Sequence, residues 1–445
     1  MMDMQRFSPR VLVAGALLLL LPTRGVTAET LVVVGGTVHS LAGDPITGSV
    51  VIEEGVIRHV GPTAPAPRDA PRIDASGLHI YPGLFDAFST LGLVEVSAIA
   101  ATVDTTELGN HNPHLQAATA IHPASEVIPV TRANGITQAL VAPGINRRTG
   151  VIGGQAALVH LGGWTVEEMA IDPSIAMVIQ WPPVVTSGFD FSTFSRISAP
   201  YNEAKETADE ARNGLRDWLD AARHYNQAKD SERSERNLKL EALAKVLDGG
   251  QRVILLADTE GDIESAVQFA ESENLDMILA GGRDAWKVKD LLAEKDIPVI
   301  LGRTQSLPPE DDDPYDRAFR NAGELAAAGV RITFSSGAGG GFGPGGPHSS
   351  RTVPYEAATA TGYGLPRDEA LKAITTYPAE IFGVGDRLGT IETGKIANLI
   401  VTDGDPLEIT TQILHVIIGG KVVSMDNRHD SLYQRYRSRP EAAEK

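Results

Sequence analysis

An α/β fold, a (β/α)8 TIM barrel joined to a small β-sandwich made by both chain ends, is what three features of this sequence predict. The middle of the chain alternates continuous apolar runs with helical stretches, the pattern of a parallel sheet buried on both faces. The two ends share a different texture, short β-rich runs broken by glycine-containing turns. The length, 445 residues, suits one large barrel with an accessory unit.

TLVVVGGTVHS (30–40), GSVVIEEG (48–55) and VIRHVG (56–61) make the first β-rich flank; ANLIVTDGDP (397–406) and ILHVIIGGKVVS (413–424) make the second. Neither flank alone has enough strands for a stable core, so the two are expected to meet in one sheet. Between them, GITQALVAP (135–143), SIAMVIQ (174–180), QRVILLAD (251–258), LDMILAGG (275–282), IPVILG (297–302) and VRITFSS (330–336) read as barrel strands. DIESAVQFAESEN (262–274) and DAWKVKDLLAEK (284–295) read as the helices between the later ones, an order that argues a parallel sheet. Residues 202–248 read as a charged helical insertion. Leu215, Trp218, Leu219 and Ala222 fall on one helical face, and Leu240, Leu243, Ala244 and Leu247 repeat the spacing. NQAKDSERSERN (226–237), between them, reads as a solvated helix or a break. The expected boundaries are 29–80 and 387–426 for the two parts of the sandwich, 81–386 for the barrel and 427–445 for a tail.

Residues 1–28 read as a secretory signal peptide: Arg6 and Arg10 precede the apolar run VLVAGALLLLL (11–21), and VTA (26–28) supplies small residues for cleavage. A periplasmic or secreted location is expected, with no stable membrane insertion after cleavage. Cysteine is absent, so stability rests on packing rather than disulfides. Removing residues 1–28, with three arginines and one aspartate, takes the formal charge from −18 to −20. Such a surface repels nucleic acid and anionic lipid, and neither is an expected partner.

IDASGLHIYPGLFDA (73–87) and PRDEALKAITTYPAEIFGVGDRLGTIETGKIANLIVTDGDPL (366–407) carry a resemblance. The chain resembles the amidohydrolase superfamily, closest to its imidazolonepropionase-like and dipeptidase-like branch, over nearly all of the mature sequence. The resemblance implies a barrel plus composite β-sandwich and hydrolysis of non-peptide or small peptidic C–N bonds. It also implies one or two divalent metals at the C-terminal mouth of the barrel, lowering the pKa of a bound water. The implied ligands are a His-x-His pair on strand one, a Lys or Glu near strand four, one His on each of strands five and six, and an Asp on strand eight. Here the pair matches Phe88 and Thr90. Strand five puts Leu256 or Asp258 at the histidine, strand six puts Gly281, and strand eight puts Gly337 or a neighbouring serine at the aspartate. The first lysine of the chain is Lys205, so none precedes it to act as a carboxylated bridge. Phenylalanine and glycine carry no lone pair, and a catalytic zinc needs about three protein ligands. No metal and no cofactor are therefore expected. Phe88, Thr90, Asp258, Gly281, Gly337 and His348 are candidates for lining a ligand pocket in the altered mouth.

Other constellations carry less. His111, His114 and His122 are spaced like loop histidines rather than a chelate. GTIETGK (389–395) approaches a phosphate-binding loop, but Ile396 stands where a hydroxyl residue would hold magnesium, and a β run follows instead of a helix. GFGPGG (341–346) reads as a flap, since Pro344 and Pro347 stand where a helix would open. Asp258 with Glu260 or Asp262 could support acid–base chemistry, or Asp262 could cap the following helix. Three functional readings follow: a non-catalytic or partner-dependent protein, paired with a related amidohydrolase or with itself; an active C–N hydrolase using another site; and a small-molecule-binding protein using the vacant mouth.

Overall fold

A computed structural model describes residues 29–63, 65–144, 151–190, 195–228, 235–308, 310, 312–339 and 346–437. Its centre is an eight-stranded sheet whose neighbours follow chain order. The strands are β1 (Leu84–Ser89), β2 (Ile136–Val141), β3 (Ile152–His160), β4 (Ala170–Gln180), β5 (Arg252–Ala257), β6 (Met277–Gly281), β7 (Val299–Leu301) and β8 (Ile332–Phe334). The segment after β8 turns back onto β1, where the Gly337 N–H donates to the Phe88 carbonyl at 2.8 Å. The sheet is thus a nearly closed (β/α)8-like barrel.

One strand departs from the parallel expectation. β3 runs antiparallel to both β2 and β4, whereas β1–β2 and the pairs from β4 through β8 are parallel. An antiparallel neighbour needs no long helical crossover, and residues 142–151 and 161–169 suffice as connections. The run IGGQAALVH was absent from the expected strands because glycines and alanines dilute its β character.

Side chains alternate across the barrel wall with the two-residue period of a strand. Phe85, Leu140, Leu158, Val178, Ile254, Ile278 and Ile300 fill the interior. Leu84, Ile136, Met177, Val253, Leu255 and Leu279 face the outer shell. Helices α1 (Tyr201–Ala228) and α2 (Leu238–Leu247) form the connection between β4 and β5. Leu215, Leu219, Ala222, Leu243 and Ala244 are buried, while Trp218, Leu240 and Leu247 pack partly buried at the margin. The central part of NQAKDSERSERN, 229–234, lies outside the described residues, as do residues 1–28 and most of GFGPGG. Among the described residues, no helix is long and apolar enough to cross a membrane.

A separate sheet joins the chain ends. Thr30–Val38 pairs with Ile46–Glu53 and His79–Pro82, and His79–Pro82 pairs antiparallel with Leu399–Thr402 from the far end of the chain. Val33, Ile52, Ile80, Leu399, Val401 and Ile417 form its core. It is the flanking β-sandwich expected from the two β-rich ends.

Because β3 runs against its neighbours, its last residue, His160, reaches the end of the barrel opposite the mouth. There the Asn398 amide donates to His160 Nδ1 at 2.9 Å and to Gln138 Oε1 at 2.7 Å. Its Oδ1 accepts from the Gly419 N–H at 2.8 Å. This latch ties β2 and β3 to the sandwich. Burial, and secondarily the charge of Arg387, pushes His160 down to about 4, consistent with a neutral ring accepting at Nδ1.

Candidate functional site at the barrel mouth

The C-terminal ends of the parallel strands place the expected positions around one rim. On β1, Phe88 is a core residue: its ring is buried in the interior cluster with Phe85 and Leu140. Thr90, one residue past the strand, is half-buried. On β5, Leu256 packs partly buried against the interior cluster, and half-buried Asp258 follows the strand. Gly281 ends β6 with φ +96°, in the region where a side chain is strained. An ideal Cβ there would stand 2.5 Å from Asp258 Oδ1. At Gly337 a Cβ would come within 2.9 Å of the Phe88 carbonyl oxygen. Asp258 is thus brought against Gly281, and Phe88 against Gly337. His348 is exposed on the short 3-10 turn Pro347–Thr352.

The donor chemistry implied by the family does not fit this rim. A phenyl ring and a single threonine hydroxyl stand at the two positions on strand one and bare backbone at those on strands six and eight, and neither glycine has room for an added β-carbon without rearrangement. Among the described residues, no three His, Asp or Glu side chains gather to hold a metal ion. The loop histidines do not supply one. His111 lies against Trp218, with ring centroids 5.4 Å apart, and its carbonyl accepts from Lys239 Nζ at 2.8 Å. Burial first, and the Lys239 charge second, lower the pKa of both His111 and His114. His122 is exposed.

The proposed carboxylate chemistry near Asp258 is also constrained. Asp262 accepts from Thr259 Oγ1 at 2.7 Å and pairs with Arg212 at 3.0 Å. The residue capping helix α3 (Glu260–Glu273) is Thr259, whose side chain accepts from the Asp262 N–H; Asp262 sits inside the first turn. In GTIETGK, the Lys395 ammonium is held by Thr390 at 2.6 Å and by Glu392 at 3.0 Å. It folds onto its own turn rather than facing a phosphate.

Sequence reasoning missed one polar cluster. Asp86, Ser89, Ser336 and Ser350 are all buried where β1 meets the segment after β8. The Ser336 hydroxyl donates to Asp86 Oδ2 at 2.5 Å and the Ser336 N–H to Oδ1 at 3.0 Å. Phe88 N–H adds a third bond at 3.3 Å. Ser350 Oγ lies 3.1 Å from both Ser336 Oγ and Ser89 Oγ. Burial pushes the Asp86 carboxyl up to about 6, against the hydrogen bonds from Ser336, Ser350 and Phe88. With every member enclosed, the cluster closes the barrel seam and anchors the Pro347–Thr352 turn; it offers no surface to a substrate.

Comparison with known proteins bears on this geometry. Residues 306–423 match the Amidohydrolase family. The amidohydrolase tasK of Hapsidospora irregularis is 27% identical over 407 residues, 84% of this chain and 39% of that relative. An amidohydrolase from Thermotoga maritima MSB8 superposes with a TM-score of 0.76 at 26% identity, covering 89% of this chain and all of the other. The chain is similar to amidohydrolases in its C-terminal sequence and in its fold. An N-substituted formamide deformylase from Arthrobacter pascens is 35% identical over 108 residues, 21% of this chain and 19% of the relative. A prolidase complexed with N-methylphosphonate-L-proline shares the fold, with a TM-score of 0.54 at 18% identity, over 88% of this chain and 99% of the other. The chain spans about two fifths of tasK and a smaller share of the deformylase. The similarity to amidohydrolases therefore comes with a mouth whose donor positions differ from those the resemblance implies.

Proposed function

We propose that this chain is an exported amidohydrolase-superfamily protein, of the imidazolonepropionase-like and dipeptidase-like branch, that serves as the silent partner of an intact related hydrolase. The observation that carries the reading is the rim itself: Phe88 belongs to the barrel core, and Gly281 and Gly337 are closed in by Asp258 and by the Phe88 backbone. A metal-dependent C–N hydrolase needs donors at those places. The fold around them is retained, as a scaffold kept for assembly would require. The length of tasK beyond the matched region supports such a unit working beside further polypeptide.

Two measurements test this reading. Elemental analysis of the purified protein, after dialysis against trace zinc, manganese and iron, is expected to find no stoichiometric metal. Near-equimolar, chelator-resistant metal would restore an active hydrolase. Affinity capture from the native periplasm with mass spectrometry is expected to recover an amidohydrolase carrying His-x-His on its first strand. A monomer stabilised by small amides, with no such partner recovered, would instead support a binding protein.

A further inference from the structure

We propose that helix α4 (Arg428–Arg437) docks on the acidic face of helix α1 in a second copy of the chain, so that copies associate through a basic, tyrosine-bearing helix and an acidic one. The inference does not depend on the chemistry of the barrel mouth. Helix α4 has ten residues and buries none of them. It is fastened at its start, where Asn427 Oδ1 accepts from the Asp430 N–H at 3.1 Å and Nδ2 donates to the Met425 carbonyl at 3.0 Å. So short a helix is marginal in water without packing along one side. Helical spacing puts Leu432, Tyr433 and Tyr436 on one face, and the two tyrosines are 59% and 51% exposed.

Arginines border that face. By the same spacing Arg428 and Arg435 lie on one side of it and Arg437 on the other. The Arg435 guanidinium stands 5.8 Å from the centroid of Tyr436, and that of Arg437 stands 5.8 Å from the centroid of Tyr433. Tyrosine and arginine gathered in one exposed patch are the side chains that protein interfaces favour at their centres. The chain as a whole carries a formal charge of −18, so copies repel one another over most of their surface. Close approach is thereby steered to a basic patch of this kind.

The same chain carries the complement. Glu203, Glu206, Glu210, Asp217 and Asp220 recur along α1 at three- and four-residue spacing or its multiple, and all five are exposed. They lie opposite the face that buries Ala204, Ala208, Leu215 and Leu219. Among the described residues, only Asp220 of the five has an ion pair, with Arg223 at 2.7 Å. Like charges three and four residues apart on a helix repel, and arginines arriving from another molecule relieve that repulsion. At about 1.5 Å per residue the acidic face runs about 25 Å and α4 about 15 Å, so the one accommodates the other. Where each copy receives the helix of the other, the two contacts are equivalent and the assembly closes as a two-fold dimer.

Sedimentation velocity of the purified protein over a range of concentrations, at about 0.1 M and about 1 M salt, tests the docking. A concentration-dependent dimer is expected, weaker by about tenfold at the higher salt, where charges are screened within about 3 Å. Arg435→Glu with Arg437→Glu, and separately Glu206→Lys with Glu210→Lys, are each expected to weaken the dimer at least about tenfold, with circular dichroism unchanged. Mixing these two variants pairs a reversed helix with a reversed face and an unaltered helix with an unaltered face, so the dimer is expected to return. A monomer at every concentration in the unaltered protein overturns the proposal. So does a dimer that survives either charge reversal, or a mixture that associates no better than its components.

Discussion

A histidine pair placed at Phe88 and Thr90 would face Leu256, Gly281 and Gly337, none of which can complete a metal shell. Phe88→His with Thr90→His would also take a buried ring out of the interior cluster, removing apolar packing that a core of this kind needs. The double variant is expected to show no EDTA-sensitive hydrolysis of dipeptides or cyclic amides and a lower melting temperature. Robust chelator-sensitive turnover would mean that further ligands exist. Asp86 makes a second residue-scale prediction. Its folded-state pKa, about 6, lies above the ordinary 3.8. An acid of this kind favours folding while protonated: the contribution is full below the ordinary value and is lost as the pH rises through the folded one. Asp86→Asn, which resembles the protonated form, is expected to remove that slope and to be the more stable protein at pH 7, by up to roughly 3 kcal/mol. Urea unfolding midpoints across the pH range would check it; a variant less stable at every pH would contradict it.

At the scale of elements, legibility followed the strength of local patterning. β5 and β6 are continuous apolar runs with helices after them, and both were plain in the sequence. β3 was not, because its glycine and alanine content hides a strand whose direction is set by its neighbours. The start of α3 was legible only in part. The sequence pointed to Asp262 as a cap, whereas the structure gives that role to Thr259, three residues earlier, with Asn274 closing the helix at φ 56°. Thr259→Ala removes the oxygen that accepts from the Asp262 N–H and is expected to cost about 1 kcal/mol, while Thr259→Ser retains it. Chemical denaturation of the pair would separate the cap from any effect of side-chain size. The Asp86 cluster was illegible for another reason. Ser336 and Ser350 stand far from Asp86 in the chain, and only closure of the barrel brings them to it.

For the whole molecule, the sandwich and the barrel could each be read from composition and order, but the latch between them could not, since Asn398, Gln138 and His160 come from three distant segments. His160 gives it a pH signature. Its folded-state pKa, about 4, lies below the ordinary 6.5, so the unfolded chain takes up the proton first. The contribution to stability is full above the ordinary value and is lost as the pH falls through the folded one. His160→Gln, which can still offer an acceptor to Asn398, is expected to flatten the loss of stability between about pH 6.5 and 4. Unchanged acid sensitivity would place the titrating group elsewhere. This slope runs opposite to that of Asp86, so the two substitutions are expected to move the stability optimum in opposite directions.

The pairing of His79–Pro82 with Leu399–Thr402 also sets a timetable. The strands between Thr30 and Gly61 can find one another soon after synthesis, being close in the chain. The hydrogen-bonding edge of His79–Pro82 that receives Leu399–Thr402 waits until the whole barrel between them has been made, and contacts of such long sequence separation form slowly. An open edge is a template for pairing with other chains. The nascent polypeptide must therefore be held apart from its neighbours until Leu399–Thr402 arrives.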